Sequence, residues 1–429
     1  MSNKDKGTSG ISRRTVLKGA AAAAGLAAGS GVVTGFPTVW AQNPITLRQV
    51  GTGVSNINAI AEKCKADLGI TLQMTALDSD AAAQRTVTQP NSYDIADVEY
   101  WICKKIFPSG KLQPMDVSKI KYFDKIVPLF VNGKLTPEST IAQGTAPHTV
   151  TFVEGKDSTK FAKEQTNWMT MVPTIYNADT LGIRPDLVGR DITSWADIMD
   201  PKFKGKTAIL NIPSIGIMDA AMIMEAMGEI KYGDKGNMTK EEIDKTIAFL
   251  IKAKKDGQFR AFWKSFDESV NLMSSGEVVI QSMWSPAVTA VKAKGIPCVY
   301  QPLKEGYRAW GGGIGLASHL KGAQLDAAYE YINWYLSGWV GAYLGRQGYY
   351  SACVETAKEH MTPAEWAFWM EGKPAAEDIK SPDGQLIEKA GAVRDGGSFS
   401  ERMGKVACWN SVMDEDRHMV RKWNEFIAA

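Results

Sequence analysis

Four tryptophans stand at junctions between predicted elements rather than on the faces of helices. They are Trp101 after a predicted strand, Trp168 before the segment MTMVPTIYN, Trp284 at a strand end and Trp310 beside a run of glycines. A tryptophan at the carboxyl end of a strand in an α/β protein is suited to wall a ligand site, because ligands bind outside those ends. The pattern predicts a cleft for a small solute, with packing in the core as the alternative role of each tryptophan.

A polar cluster is predicted where the segment GTGVSN, residues 51–56, joins a strand to a helix. Gly51 and Gly53 match part of a dinucleotide-binding fingerprint, but Asn56 stands where the third glycine belongs, which argues against a nucleotide. A glycine turn that enters a helix still presents free backbone N–H groups to an anion or a polar ligand. The later stretch GGGIGL, residues 311–316, is expected to let backbone approach backbone or a ligand closely.

Catalytic and metal-binding patterns have little support in the sequence. The four histidines lie far apart, and none has a second His or Cys at the spacing of metal ligands. No nucleophile elbow or phosphate-binding loop is present. The five cysteines are scattered and odd in number, so they form neither a disulfide framework nor a zinc motif, although one disulfide is possible. We expect no catalytic residue, no metal and no cofactor.

Strands that alternate with helices must position these residues. The clearest helix is TKEEIDKTIAFLIKAKKDG, in which Thr239 and Glu242 form a capping box and Gly257 follows the last turn. The stretch ESVNLMSSGEVVIQSMW predicts a helix, a stop at Gly276 and a strand. The alternation favours an α/β architecture with largely parallel sheets, and the length of the chain indicates two lobes.

The first 41 residues have the composition of an export signal. Arg13, Arg14 and Lys18 precede an Ala- and Gly-rich run that is too weakly apolar to hold as a membrane-spanning helix. The small residues Val39 and Ala41 place a cleavage site after Ala41. The motif SRRTVLKG resembles the twin-arginine export signal, which implies export to the periplasm in a folded state.

The composition of the remaining chain excludes several partners. The first 41 residues carry five basic side chains and one acidic side chain, so their removal changes the formal net charge from +2 to −2. No basic field remains to bind nucleic acid. No later segment is long and apolar enough to span a membrane.

Three longer stretches resemble a known family. They are SWADIMDPKFKGKTAILNIP, NLMSSGEVVIQSMWSPAVTAVKAKGIPCVYQPLKEG and WGGGIGLASHLKGAQLDAAYEYINWYL. They resemble the bacterial extracellular solute-binding proteins of ABC importers, in the spermidine/putrescine-binding-like branch, and the likeness covers residues 45–357. The resemblance implies a type II-like periplasmic-binding-protein fold with a ligand cleft between two lobes. Lobe 1 would comprise residues 42–169 and 285–429, with helices after residue 356 packed on it, and lobe 2 residues 170–284. The implied partners are a small-molecule ligand and the permease subunits of the inner membrane, and the protein would be a monomer.

The resemblance also carries site residues over to this sequence. The ligand-binding set that we expect, including the tryptophans above and the polar groups near them, is Ser55, Glu99, Trp101, Trp168, Ser214, Trp284, Ser285, Trp310 and Tyr350. Polyamine binders of the family have aromatic residues after the first strand, where this chain has Gly51 to Ser55. They also have acidic residues in lobe 2, where this chain has Asn211 and Ser214. A diamine needs a carboxylate for each ammonium group, because a buried unpaired charge is costly. We therefore expect a small organic solute with at most one positive charge, such as an amino-acid-like zwitterion, in place of a polyamine.

Two alternatives remain open from the sequence. Tyr349 and Tyr350 could bind a ferric ion through paired phenolates, which would make the protein a periplasmic ferric-ion carrier. The chain could also be a secreted enzyme of unknown reaction, since a site assembled from distant residues leaves no local motif.

Overall fold

A computed structural model describes residues 45–137 and 139–429, so the predicted signal peptide and its cleavage site lie outside the described residues. The strands are β1 (Thr46–Thr52), β2 (Thr71–Leu77), β3 (Ile95–Glu99), β4 (Leu112–Gln113), β5 (Met115–Asp116), β6 (Gln143–Gly144), β7 (Trp168–Met169), β8 (Val172–Ile183), β9 (Thr207–Leu210), β10 (Phe259–Trp263), β11 (Ile280–Met283), β12 (Val299–Tyr300), β13 (Tyr307–Ala317), β14 (Tyr350–Ser351), β15 (Ile379–Lys380), β16 (Leu386–Glu388) and β17 (Val406–Trp409).

The helices follow the same chain order. They are α1 (Asn58–Leu68), α2 (Ser79–Thr88), α3 (Cys103–Ile106), α4 (Leu129–Asn132), α5 (His148–Thr151), α6 (Pro185–Val188), α7 (Pro213–Ala226), α8 (Lys240–Lys255), α9 (Phe266–Ser275), α10 (Ser285–Ala293), α11 (Gly322–Leu336), α12 (Trp339–Gly345), α13 (Val354–Lys358), α14 (Pro363–Trp369), α15 (Phe399–Met403) and α16 (Asp416–Ala428). Single 3₁₀ turns occupy Pro90–Ser92, Tyr100–Ile102, Phe107–Ser109, Val117–Lys119, Phe123–Lys125, Trp195–Met199 and Pro201–Phe203.

One curled sheet joins both halves of the chain, in the order β10-β9-β11-β8-β13-β3-β1-β2 along its main path. At one end β2, β1 and β3 run parallel, and at the other β10, β9 and β11 run parallel. The long strands β8 and β13 lie between these groups and are antiparallel to each other. The prediction of largely parallel strands is therefore correct for the two ends and fails at the centre.

Two large hydrophobic cores and one small core lie in the described part of the chain. The first core surrounds β1–β3 and extends onto one face of β9–β11, and the second packs against the other face of β9–β11. Strand β8 passes from one to the other, since Tyr176 and Ala178 pack in the first core and Leu181 and Ile183 in the second. The protein therefore has the two-lobed α/β fold that the sequence predicts.

The last helix, α16, packs on lobe 2, whereas the helices after residue 356 were expected on lobe 1. Trp423 and Phe426 of α16 are fully buried in the second core, where they pack with Ile217 of α7. Met419, Trp423 and Phe426 stand at positions i, i+4 and i+7, so they form one apolar stripe that the second lobe covers. Helix α16 therefore belongs with lobe 2, while the remaining lobe boundaries stay a prediction.

Local signals in the sequence determine several element ends. Thr239 and Glu242 form the predicted capping box of α8, and Gly276 ends α9 with φ 76°, a left-handed conformation that favours glycine. Helix α11 ends at Leu336, and Trp339 begins the next helix, α12.

The five cysteines are buried free thiols. Among the residues that the structure describes, no helix is both long enough and apolar enough to cross a membrane.

Candidate functional site

A cavity of about 640 Å³ lies between the lobes, at the carboxyl ends of all six parallel strands. The first lobe lines it with Thr52–Val54 at the end of β1, Leu77–Ser79 at the end of β2 and Glu99 at the end of β3. The second lobe lines it with Ile212 and Ile215 after β9, Lys264–Phe266 after β10, and Trp284 and Pro286 after β11. This is the position at which open α/β sheets bind ligands.

The antiparallel strands β8 and β13 form the floor of the cavity. Asp179 of β8 and Arg308 of β13 are direct neighbours in the register, and Trp310 follows two residues later on the same face. Gln347, Tyr349 and Asn410 complete the lining. Beyond Trp310, a Cβ on Gly313 would lie 2.6 Å from the Tyr100 ring, so this glycine lets an aromatic side chain pack against the strand.

Glu99 presents a carboxyl group to the cavity. Its Oε1 accepts a hydrogen bond of 2.8 Å from Ser79 Oγ, while its Oε2 is buried and has no hydrogen-bond partner in the described structure. Burial raises the pKa of Glu99 to about 7, and the nearby charge of Asp80 adds to the shift while Ser79 opposes it. A carboxyl oxygen in this state is a ready acceptor for a donor on a ligand.

Arg308 is the centre of a buried ion cluster beside Glu99. Its Nε donates to Asp219 Oδ1 at 2.6 Å, its Nη1 donates to Asn410 Oδ1 at 2.8 Å and its Nη2 lies 3.4 Å from Asp179 Oδ2. Burial raises the pKa of Asp179 to about 6, against the effect of Arg308. Burial also disfavours the charge on Arg308, but the two carboxylates hold the pKa of the guanidinium above its ordinary value.

Arg308 and Asp179 are absent from the residues predicted from the sequence. They lie far apart along the chain, and only the antiparallel register brings them together. One signal was available: each is a charged residue within a strand whose residues are all buried. Charged side chains are rarely fully buried without a partner, so each pointed to a pairing across strands.

Three of the nine predicted ligand-binding residues line the cavity, namely Glu99, Trp284 and Trp310. Trp284 packs edge-to-face on Trp263 with ring centroids 4.8 Å apart, and Trp310 packs edge-to-face on Tyr349 at 5.9 Å. These contacts hold the two cavity-lining tryptophans in fixed orientations.

Trp101 and Trp168 lie elsewhere. The 3₁₀ turn after Glu99 directs Trp101 into the first core, where it is buried. Trp168 belongs to β7, which pairs with β5 in a separate two-stranded sheet. Both expectations of a ligand wall are therefore wrong for the cavity that the structure contains.

The other four predicted residues bond to the protein itself or face other surroundings. Ser55 Oγ donates to Asp97, and Ser214 Oγ donates to Asp80 at 3.2 Å, across the boundary between the lobes. Ser285 lines a separate, smaller cavity. The Tyr350 ring packs against Phe399 and beneath the guanidinium of Arg394.

The arrangement gives no support to paired phenolates at a ferric ion. Tyr349 lines the large cavity, but its neighbour Tyr350 does not. In the described part of the chain, no group of three or more His, Cys, Asp or Glu side chains is placed to hold a metal ion.

The profile of a family described as "Bacterial extracellular solute-binding protein" matches residues 59–367, which is more than half of the chain. The chain belongs to this family. The solute-binding protein is also 23% identical over 281 residues to the spermidine/putrescine-binding periplasmic protein of Escherichia coli K12, covering 65% of this chain and 68% of that one.

Solved structures share the two-lobed fold of this solute-binding protein. A spermidine/putrescine ABC transporter substrate-binding protein from Streptococcus pneumoniae aligns with a TM-score of 0.57 at 17% identity, covering 90% of this chain and 98% of that one. A periplasmic binding protein from A. tumefacien R10, in complex with agropinic acid, aligns with a TM-score of 0.57 at 15% identity, covering 90% and 99%. The predicted family and fold class are confirmed.

Proposed function

We propose that the solute-binding protein captures a small organic solute with at most one positive charge in the periplasm and delivers it to the permease of an ABC importer. The observation that carries the proposal is the Glu99 carboxyl group, whose Oε2 has no partner in the described structure while it borders a cavity between two lobes. An ammonium group of the solute would pair with this carboxyl group.

The charges of the cavity lining favour a monocation or a zwitterion over a polyamine. The lining contains three carboxyl groups, on Asp78, Glu99 and Asp179, and two cations, on Lys264 and Arg308. Asp179 and the adjoining Asp219 balance Arg308, and Asp78 accepts from the N–H of Ala81 at the start of α2, so Glu99 is the lining carboxyl group left for one ammonium group. Spermidine or putrescine would bring additional ammonium groups for which the lining has no free carboxylate, and a buried unpaired charge is costly.

The remaining lining suits the organic part of such a solute. Trp284 and Trp310 provide flat apolar walls, and a cation over an aromatic face gains about 0.5–2 kcal/mol. One protein with this fold is named as a spermidine/putrescine substrate-binding protein and another is in complex with agropinic acid, so the fold leaves the charge of the ligand open and the lining residues decide it.

A thermal-shift screen tests the proposal. Monoamines, amino-acid-like zwitterions, putrescine and spermidine are added to the mature protein, and a solute that binds the native state raises the melting temperature by mass action. We expect the largest shift from a solute with one ammonium group. A larger shift from spermidine than from any monoamine would contradict the proposed charge, and conversion of the solute during incubation would identify an enzyme instead.

Small-angle scattering and fluorescence test how the bound solute acts on the lobes. We expect the solute found by the screen to reduce the radius of gyration, because it bridges residues of both lobes. It should also change the fluorescence of Trp284 and Trp310. The change should survive in Trp168→Phe, since Trp168 lies outside the cavity, and diminish in Trp284→Phe. Micromolar binding with neither signal changed would argue against closure of the lobes.

The export route is a separate prediction. We infer that the chain is cleaved after Ala41 and exported through the twin-arginine pathway, on the strength of SRRTVLKG and VWAQ. Replacing Arg13 and Arg14 by lysine should abolish periplasmic accumulation while the positive charge is retained. Periplasmic protein at the normal yield would reject this pathway.

A further inference from the structure

A second cavity, of about 30 Å³, lies behind helix α10 on the side away from the solute. Ser285, Val288 and Lys292 of α10 line one side of it, and the segment that contains α14, β16 and α15 closes the other. A cavity of this size has room for one or two water-sized groups. It is too small for an organic ligand.

Two buried arginines line this small cavity without a carboxylate partner in the part of the chain that the structure describes. Arg394 is 5% exposed and Arg402 is 2% exposed. Arg394 donates to the backbone oxygen of Trp369, and Arg402 donates to the backbone oxygens of Asp395 and Ala178 at 3.3 and 3.1 Å. Buried guanidinium groups are normally paired with carboxylates, because an unpaired buried charge is costly.

The carboxyl groups at the small cavity are already engaged by another cation. Lys292 Nζ pairs with Glu388 and, at 2.8 Å, with Asp395, whose Oδ2 also accepts from the backbone N–H of Tyr300 at 2.9 Å. Three cationic side chains therefore face two carboxylates, which leaves the cluster with one positive charge. Burial, with the neighbouring charge of Arg402 adding to it, lowers the pKa of Arg394 to about 10.

Two donors at the small cavity have no acceptor within the described structure. They are Arg402 Nε and Trp369 Nε1, and both belong to residues of the lining. Aromatic faces offset part of the cost of the charges, since Arg394 lies 5.0 Å from the Tyr350 ring centre and Arg402 lies 4.9 Å from that of Tyr300. The Tyr350 side chain also hydrogen-bonds to Arg394, but a neutral ring supplies no counter-charge to either arginine.

We propose that the small cavity binds one monovalent anion of halide size between Arg394 and Arg402. The anion supplies the missing negative charge and accepts hydrogen bonds from the two unpartnered donors. It ties the segment from α14 to α15 onto α10, which contains Pro286 and directly follows Trp284, two residues on the wall of the solute cavity. The site therefore acts on the stability of the native state and is independent of the identity of the solute.

Thermal unfolding at constant ionic strength tests the site. Sodium gluconate is replaced stepwise by sodium chloride or bromide, without solute, on the full mature chain. We expect a saturable rise in melting temperature of about 2–4 °C, because an anion that binds only the native state stabilises it by mass action. The rise should disappear in Arg394→Met. It should persist in Arg346→Met, a matched control in which the lost arginine pairs with Glu365 outside the cavity.

A crystal of the wild-type protein grown in bromide tests directly whether the small cavity binds a halide, even if the Arg394→Met variant fails to fold. We expect an anomalous peak between the guanidinium groups of Arg394 and Arg402. A peak together with halide-dependent stability supports the proposal. Identical melting curves in gluconate and halide, or a crystal in which the cavity shows no anomalous peak, as when water occupies it, would overturn the proposal.

Discussion

Replacing Arg308 by methionine is expected to lower the free energy of unfolding by about 3–5 kcal/mol, the range for removing one partner of a buried ion pair. The change leaves Asp179 and Asp219 buried without their cation; the side chains of these carboxyls are 2% and 0% exposed. Urea denaturation of the mature protein without solute measures the loss. Arg260→Met is the matched control, because the Arg260–Glu277 pair is exposed and its loss should cost less than about 1 kcal/mol.

The loss of stability in the Arg308→Met variant should depend on pH. In the Arg308→Met variant the pKa of Asp179 stays above that of the unfolded chain, since burial already raises it to about 6 with Arg308 present. The native state then binds more protons than the unfolded state, so the stability deficit grows as the pH rises from 5 to 8. Adding Asp179→Asn and Asp219→Asn should recover much of the loss, because neutral groups of the same shape replace the stranded charges. A deficit that is unaffected by pH and by the asparagines would show that lost packing, not charge, is the cause.

The sequence predicts this fold well wherever the signal is local. A capping box at Thr239, a glycine at 276 and the alternation of strands and helices are each read within a few residues, and the structure has all of them. The place of α16 depends on which distant surface covers its apolar stripe. Nothing within the helix specifies that surface, so the expected lobe was wrong.

The residues of the candidate site were likewise predicted where the signal is local and missed where it is not. Ligands sit at the carboxyl ends of parallel strands, and this rule predicted Trp284 on the cavity wall, while the family resemblance predicted Glu99. The strand-end rule failed for Trp101, because a single 3₁₀ turn after β3 reverses the direction of the side chain. The rule could not identify Arg308 and Asp179, because these two residues come together only through the register of two antiparallel strands.

Replacing Glu99 by glutamine is expected to weaken binding of the cationic or zwitterionic solute by about 1.5–3 kcal/mol, the range for a hydrogen bond to a charged group. That is a loss of roughly 10- to 150-fold in affinity. The substitution keeps the shape of the side chain and the contact with Ser79 and removes the charge that faces the cavity. Titration calorimetry with the solute found by the screen measures the loss. Glu154→Gln, in an exposed loop, is the matched control for the effect of net charge and should bind as the wild type does.

The same carboxyl group should make binding depend on pH. Because burial raises the pKa of Glu99 to about 7 in the protein without solute, an ammonium group must expel a proton from a large fraction of the molecules below that pH. Affinity should therefore rise between pH 6 and pH 8 in the wild type, with proton release on binding, and Glu99→Gln should flatten the rise. Asp179, with its pKa near 6 on the same cavity, contributes mainly at the lower end of this range and remains in both proteins. Equal affinity of Glu99→Gln and the wild type at pH 8 would remove Glu99 from the binding site, because at that pH most of the wild-type carboxyl groups are charged.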